Sequence, residues 1–423
     1  MRILFTTYSD KSLLHSLVPL AWAALTSGHE VRVASAPDLA EAITAAGLPA
    51  VPVGRLDGFA RFVRRLPQGH LARRAGLFAP YDAAVAAPPV DRDGLRQGYR
   101  TQVDGWHKVV NFPLITELTA FARAWRPDLV IWEPTSYAGP IAAKACGAAH
   151  ARLLWSVDVF GATRERFLES DGTRAADPGD DPLREWLDGY ARRNGGRFSE
   201  DMVTGHFTID QLPPGLALTT SLPRVSMRYT PYGGSAVAPG WLRRPPDRPR
   251  IVLTLGITAS ERFNGYRIDL QSILDSVADL DVEVIATVAD RERHSVGTVP
   301  ANTKIVPYVP LHVLAPTCAA AIDHAGPGTL CTLALHGVPQ VLLPWYFDEP
   351  LLAQRLADYG AAMVVDPARS SGEVVRDNLS RLLTEPVFAD RARLLRDEMR
   401  QAPSPAEIAG LLPRLAAQWQ TAA

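Results

Sequence analysis

Two stretches of the chain hold residue types that could do chemistry. In "IDHAGPGTLCTLALHGVPQVLLPWYFDEP" an apolar strand ends at Ile322 or Asp323, His324 follows, and a small-residue turn leads into a helix predicted over Thr329–His336. Gly326 and Gly328 let a ligand approach the backbone, and the free N–H groups of the helix start, with its dipole, favour a phosphate there. Thr329 adds a hydroxyl donor and His324 an imidazole donor, and a charge-assisted bond of this kind is worth roughly 1.5–3 kcal/mol. After the next strand come Asp348 and Glu349, which can accept from sugar hydroxyls. Carboxylates beside a diphosphate cradle describe a nucleotide-sugar site; the plainer alternative is a glycine-rich turn with a satisfied histidine. The second stretch, "TTYSDKSLLHSLVPLAW", puts Asp10, Lys11, Ser12 and His15 in a polar loop with apolar Leu13 and Leu14 between them. Asp10 or His15 could take a proton, whereas Lys11 and Ser12 read as solvent or capping residues.

These residues need elements to position them. Residues 2–6 form a short apolar run expected as a buried parallel strand, followed by a helix predicted from about Leu17 to Thr26. "HEVRVASAP", "DLAEAITAAG" and "LPAVPVG" continue the alternation, and "WRPDLVIWEP" gives a strand with Glu133 at its carboxyl end. The pattern dissolves into loops between roughly 55 and 110 and again from about 160 to 205, lengths that suit lids or binding segments. It restarts at "RIVLTLG". The fold class expected is α/β, with two Rossmann-like domains facing a cleft and ligands outside the carboxyl ends of the strands. The expected boundaries are a first domain over 1–228, a Pro/Gly-rich linker over 229–249, a second domain over 250–400, and a C-terminal helix over 401–423 packing back across the domains.

Composition narrows the classes. The chain has 423 residues, a net charge of −1 and 47% hydrophobic residues, which fits a soluble protein and gives no support for nucleic acid or an anionic membrane surface. Cys146, Cys318 and Cys331 stand apart from any CxxC or His-rich neighbour and read as reduced thiols of a cytoplasmic protein. The chain runs directly into a strand pattern, so no signal peptide is expected. Asp91-Arg92-Asp93 matches a metal-binding DxD in letters only, because no strand precedes it; no metal is expected. The first strand is not followed by G-x-G-x-x-G, which leaves a dehydrogenase without a dinucleotide site.

The donor stretch resembles the signature of inverting glycosyltransferases of the GT-B fold. It is closest to the bacterial branch that attaches TDP-deoxysugars to polyketide aglycones of macrolide and anthracycline type. "LVPLAWA…GHEVRVAS", "WRPDLVIWEP", "TIDQLPP", "SMRYTPYGGSAVAPGWL" and "VLTLG" are similar to the same branch, so the resemblance covers the whole chain. It implies that His324, Gly326, Gly328 and Thr329 hold the diphosphate, with Gly256 and Thr258 closing on it. Asp348 and Glu349 would bond the sugar, and Tyr308, Val309 and Leu314 would hold the base, usually thymine. No cofactor is implied beyond the TDP-sugar co-substrate. The family usually has Asp-Gln where this chain has Asp348-Glu349.

A second departure concerns the base. In the family a histidine sixteen residues before the histidine of the "GH" pair removes the acceptor proton. That pair is Gly28-His29, so the base position is 13, and it holds Leu13. Three replacements are open: His15, Asp10, and Glu133, which matches the acid that orients the missing histidine. Other readings are an acidic phenol or a carbon nucleophile served by a carboxylate, as in C-glycoside formation, and a non-catalytic partner protein. A nucleotide-sugar epimerase would lack the apolar acceptor half that the long loops suggest. Leu13, Trp106 and Phe112 are candidate acceptor contacts, with Arg61, Phe62 and Arg64. The expected partners are the TDP-deoxysugar and the aglycone, a second copy of the chain, and an auxiliary protein resembling a cytochrome P450. Some members of the branch need that protein, and its contact is expected around 160–205.

Overall fold

The structure is a computed structural model that describes residues 1–55, 76–170, 180–256, 268–366 and 369–420. Two parallel sheets organise it. The first has the strands β1 (Arg2–Thr6), β2 (Glu30–Ser35), β3 (Ala50–Pro52), β4 (Leu129–Trp132), β5 (Ala149–Leu153), β6 (Phe207–Asp210) and β7 (Arg224–Ser226), in the order β3-β2-β1-β4-β5-β6-β7. The second has β8 (Arg250–Thr254), β9 (Glu283–Thr287), β10 (Thr303–Val306), β11 (Cys318–Asp323), β12 (Gln340–Leu342) and β13 (Ala362–Val364), in the order β10-β9-β8-β11-β12-β13. In each sheet the order reverses once, between β1 and β4 and between β8 and β11. Loops leaving neighbouring strands there part to opposite faces and open a crevice. Thr7–Asp10, Glu133, Gly256 and His324 all lie at those four carboxyl ends.

Most strands are buried on both faces, which explains why they read as short apolar runs rather than alternations. The helix Pro405–Gln420 belongs to the first half by packing. Ile408, Ala409, Leu412 and Ala416 share a core with Leu14, Leu17, Leu20 and Ala24 of the first helix. A further apolar seam joins the halves, with Tyr81, Phe160 and Leu216 against Ala325, Leu330 and Leu352. Arg355 fastens it by donating to the carbonyls of Leu216 and Ala217 at 2.6 and 2.5 Å.

Several elements differ from expectation. The first helix runs from Lys11 to Thr26, six residues longer than predicted, so Leu13 and His15 are helical rather than in a loop. The polar residues among Asp10–Ser16 read as a loop and put the start later. Asp10 is the cap that sets the real one, its Oδ1 accepting from Ser12 N–H at 2.8 Å and Ser12 Oγ at 2.7 Å. Burial of nine side chains, Leu14, Leu17 and Val18 among them, offsets the hydrogen bond that Pro19 cannot make. The two expected loops also contain helices: Arg92–Gln102, Lys108–Trp125, Val159–Glu169 and Pro182–Arg193. Their arginines hid the pattern. Asp91 and Asp181 cap two of them, and buried Arg164 ties a third by donating to Asp181 at 2.6 Å and to Glu200 at 2.8 Å. Among the described residues no helix is long and apolar enough to cross a membrane.

Candidate active site

A cleft of about 980 Å³ lies between the two sheets, lined from both halves. Its donor side is built on the turn after β11. Asp323 Oδ1 accepts from Ala325 N–H at 2.8 Å and holds Ala325 at a φ of 62°, a conformation a non-glycine residue takes only under such constraint. The chain then enters the helix Pro327–Leu335 with Gly326 as its cap. The first intrahelical bond is Leu330 N–H to Gly326 C=O, so the N–H groups of Gly328 and Thr329 remain for a ligand. Pro327, at the first helical position, gives up an N–H the helix does not use.

The two glycines flanking His324 have a role that spacing did not show. A Cβ on Gly326 would lie 2.2 Å from His324 Nε2, and one on Gly256 would lie 2.5 Å from its Cε1. They make room for the imidazole rather than for a ligand, and the ring sits between the two backbones at the helix start. Gly256 also has a φ of 70°, which excludes a side chain on conformational grounds. Burial lowers the His324 pKa to about 4, with the Thr254 backbone pulling the other way, so the ring is neutral at pH 7.

Asp348 and Glu349 open the helix that runs to Tyr359, and both line the cleft. Glu349 Oε2 accepts from the N–H groups of Tyr346 at 2.9 Å and Trp345 at 3.1 Å, while Oε1 lies 4.0 Å from His324 Nε2. Burial raises Glu349 to about 8, Asp323 to about 7 and Asp348 to about 6; the charges of Asp348 and Asp323 add to the shift of Glu349. These carboxyls hold protons in the folded state that they would release when unfolded, where carboxyls ionise near pH 4. The stability they contribute is therefore complete below that pH and is lost as pH rises through the folded values. The melting midpoint of the ligand-free protein is expected to fall by about 2–5 °C between pH 6.5 and 8.5. Glu349→Gln should remove most of that fall; an unchanged slope in the variant would show that other groups cause it.

On the base side of the cleft stand Thr254, Thr287, Val309 and Tyr308. Thr287 Oγ1 bonds Thr254 Oγ1 at 2.7 Å, and the Tyr308 hydroxyl donates to Gly233 C=O at 3.0 Å. Leu314 is in the core beneath and does not reach the cleft. Thr258 lies outside the described residues, as do Arg61, Phe62 and Arg64.

The acceptor side is apolar. Leu13, Phe78, Tyr81, Trp106, Trp155 and Phe160 line it, and Phe78, Tyr81 and Phe160 pack on Phe347 from the sugar side. Phe112, expected here, is 71% exposed and absent from the lining. It falls on the outward face of its helix, whose buried stripe is Val110, Asn111, Leu114 and Ile115. His107 was not anticipated. It lines the cleft fully buried, bonded to the Tyr81 hydroxyl, and burial lowers its pKa to about 3.

The three candidate bases part company. Glu133 is fully buried behind Thr135, whose N–H and hydroxyl both bond its Oε2 at 2.9 and 2.7 Å; Thr135 lines the cleft and Glu133 does not. Burial raises its pKa, Ser136 and Thr135 oppose the rise, and the Asp10 charge adds to it. His15 lines the cleft on the linker side, edge-on to Tyr232 at 5.2 Å, and burial lowers its pKa, leaving it neutral at pH 7. Asp10 lines the cleft as the helix cap. Counting from that cap, Leu13 is the third helical residue, the one whose side chain adjoins the cap residue's own. Asp10 therefore stands beside the position that a histidine would occupy.

Asp91 and Asp93 are spent elsewhere: Asp91 Oδ1 accepts from Gly94 N–H at 2.8 Å, and Asp93 pairs with Arg96 at 3.3 Å. Away from the cleft, His150, Asp201 and His206 are grouped closely enough to hold a metal ion. Lys144 Nζ already bonds the shared Asp201 Oδ2 at 2.6 Å, and His206 Nδ1 accepts from His150 N–H at 3.2 Å. Lys144, His150 and His206 thus share the Asp201 carboxylate as an internal ion-pair cluster, with His150 Nδ1 left without a hydrogen-bond partner.

Both halves match known protein models. Residues 22–256 match the erythromycin biosynthesis protein CIII-like N-terminal domain, and residues 271–415 match the corresponding C-terminal domain. The chain is 42% identical to the 10-deoxymethynolide desosaminyltransferase of Streptomyces venezuelae, over 99% of this chain and 98% of that one. It is 40% identical to the aclacinomycin-T 2-deoxy-L-fucose transferase of Streptomyces galilaeus, over 99% and 97%. Among solved structures it superposes on the glycosyltransferase VinC, in complex with dTDP, with a TM-score of 0.87 at 38% identity, covering 99% and 100% of the two chains. With likeness of that degree across both halves, the chain belongs to the erythromycin biosynthesis protein CIII-like family of GT-B glycosyltransferases.

Proposed function

We propose that the protein transfers a deoxyhexose from a TDP-sugar to a hydroxyl of a polyketide-type aglycone, with inversion. The observation that carries this reading is the cradle made by His324, Gly328 and Thr329 beside the Asp348-Glu349 pair, in one cleft with an apolar acceptor wall. The acceptor oxygen attacks the anomeric carbon, the bond from that carbon to the diphosphate oxygen breaks, and TDP leaves. The acceptor proton goes to Asp10, the only carboxylate among the described lining residues on the first half of the cleft. A carboxylate is a weaker base than histidine, so a phenolic or otherwise acidic hydroxyl is the acceptor it serves best. Helix N–H groups and His324 neutralise the leaving diphosphate, a role that needs no metal. Nothing in this chemistry calls for a cofactor, and activity in the presence of a chelator would test that.

Leu13, 5% exposed on the cleft wall, favours a second reading: a homologue that binds the donor and does not turn it over. One experiment separates the two. Calorimetric titration with TDP, with UDP and NAD as controls, is followed by incubation of a TDP-deoxysugar with a panel of aglycones. TDP binding with glycoside formation supports transfer; TDP binding without product on any acceptor supports the second reading; no nucleotide binding removes both. An auxiliary P450-like protein docking near 160–205 and a homodimer belong to the same proposal. Full activity of the lone, monomeric protein would dismiss them.

A further inference from the structure

The carbonyl of Gly328 carries more hydrogen bonds than its place in the helix requires. In a regular helix such an oxygen accepts only from the N–H four residues on. Here the Tyr229 hydroxyl also donates to it at 2.9 Å and the Thr332 hydroxyl at 2.6 Å, while the two hydroxyl oxygens lie 3.1 Å apart. Two protons are thus shared among three oxygens. The contact between the hydroxyls can hold only one of them, so at least one proton bonds the carbonyl however they are arranged. Burial raises the Tyr229 pKa, with Cys331 adding to the rise and the Thr332 bond opposing it, so the phenol keeps its proton at pH 7. Tyr229 also reaches the helix from outside the second sheet. It follows β7 in the chain, and its neighbour Arg228 is tied through its N–H to Pro403 C=O at 2.7 Å and through its guanidinium to Arg400 C=O at 3.2 Å.

A peptide group is one planar, conjugated unit. The Gly328 oxygen therefore shares its plane with the N–H of Thr329, one of the two N–H groups that the helix start leaves for a ligand. Bonds accepted by the oxygen draw electron density from the nitrogen and strengthen that donor, by about 10–30% per bond. They also fix the plane, so the direction of the N–H is set before a ligand arrives. We infer that Tyr229 is a positioning residue for the donor: together with Thr332 it holds and polarises the Gly328–Thr329 peptide, whose N–H is offered to the diphosphate. The inference rests on the preceding reading of the donor site and brings the linker into it. The diphosphate gains negative charge as the anomeric bond breaks, so a stronger N–H favours its departure as well as its binding. Thymidine carries no phosphate and should not sense the change.

The test uses the full-length protein, TDP and thymidine as probes, and the variants Tyr229→Phe, Thr332→Val and their double. Isotopic labelling of glycine carbonyls and threonine amides isolates the Gly-Thr pairs, of which the chain has three, and the signal lost in Thr329→Ser is that of the Gly328–Thr329 peptide. In ligand-free Tyr229→Phe that signal is expected to move upfield in both the carbonyl carbon and the amide nitrogen. Calorimetry should then show TDP bound about 3–10-fold more weakly, the change that one hydrogen bond makes. Thymidine, read by competition against TDP, should stay within about twofold, and the double variant should lose more TDP affinity than either single one. Weakened TDP binding with an unmoved peptide signal overturns the inference, because the hydroxyl would then act on the ligand directly. An equal loss for thymidine overturns it too, since that marks a general disturbance of the cleft, as does unchanged TDP affinity in the double variant. Failure of the wild type to bind TDP would overturn the donor reading instead, and this inference with it.

Discussion

Asp10→Asn should lower turnover by about 10²–10⁴-fold, the range for removal of a positioned general base. Asparagine is as good a helix cap as aspartate, so the first helix and the shape of the cleft should survive the change. TDP affinity should stay within about threefold, because Asp10 belongs to the opposite side of the cleft from the helix proposed to bind diphosphate. His15→Gln, by contrast, should cost less than tenfold, since His15 packs edge-on against Tyr232 toward the linker. The informative third variant is Leu13→His in the Asp10→Asn background. The new imidazole would stand on the face that Asp10 shares, a placement that should restore part of the lost rate. Single-turnover kinetics on a phenolic acceptor would check all three. If Asp10→Asn keeps more than a tenth of the wild-type rate while His15→Gln abolishes it, the base is His15, and the capping argument is wrong.

That prediction depends on geometry the sequence could show only in part. The alternation of apolar runs and small-residue turns was enough to expect two parallel α/β sheets and to place His324, Gly326, Gly328, Thr329, Asp348 and Glu349 on one side of a cleft. Local order sufficed there, because all six sit within a single strand-turn-helix and the strand-turn-helix after it. The first half was harder. The polar residues before Leu17 made the helix appear to start late, and the arginine-rich segments hid helices whose stability comes from caps at Asp91 and Asp181 and from the buried Arg164 pairings. Such long-range charge pairs leave no periodic trace. Glu133 was an attractive base from its place at the end of β4, yet facing is a property of one rotamer, and Thr135 captures the carboxylate before it reaches the cleft. His107 and Tyr81 are 26 residues apart and meet only through tertiary packing. The purpose of Gly256 and Gly326 was also misjudged by spacing alone: the neighbour that both accommodate is the His324 ring.

That last point gives the second large expectation. His324→Ala removes the donor proposed for the diphosphate, a charge-assisted bond of roughly 1.5–3 kcal/mol, and TDP should bind about 10–150-fold more weakly. Gly326→Ala keeps the imidazole, yet its methyl would overlap Nε2 at 2.2 Å, and the ring cannot retreat because Gly256 closes the other face. The ring must leave its place, so Gly326→Ala should weaken TDP binding by a similar factor. A backbone effect on the helix start would make the same change by a different route, and the double variant distinguishes them. If both single changes act through the position of one imidazole, the double variant binds no more weakly than the worse single one, and the interaction energy nearly equals the smaller loss. If the losses instead add, the methyl acts on the Gly328 and Thr329 N–H groups, and His324 holds its share of the phosphate independently. The acid side of the titration gives a further discriminator. The neutral ring would be pushed toward protonation by an arriving diphosphate, so wild-type affinity should rise as pH falls from 7 to 5.5. In either single variant that rise should flatten, and a slope equal to wild type in Gly326→Ala would show that the ring had kept its place after all.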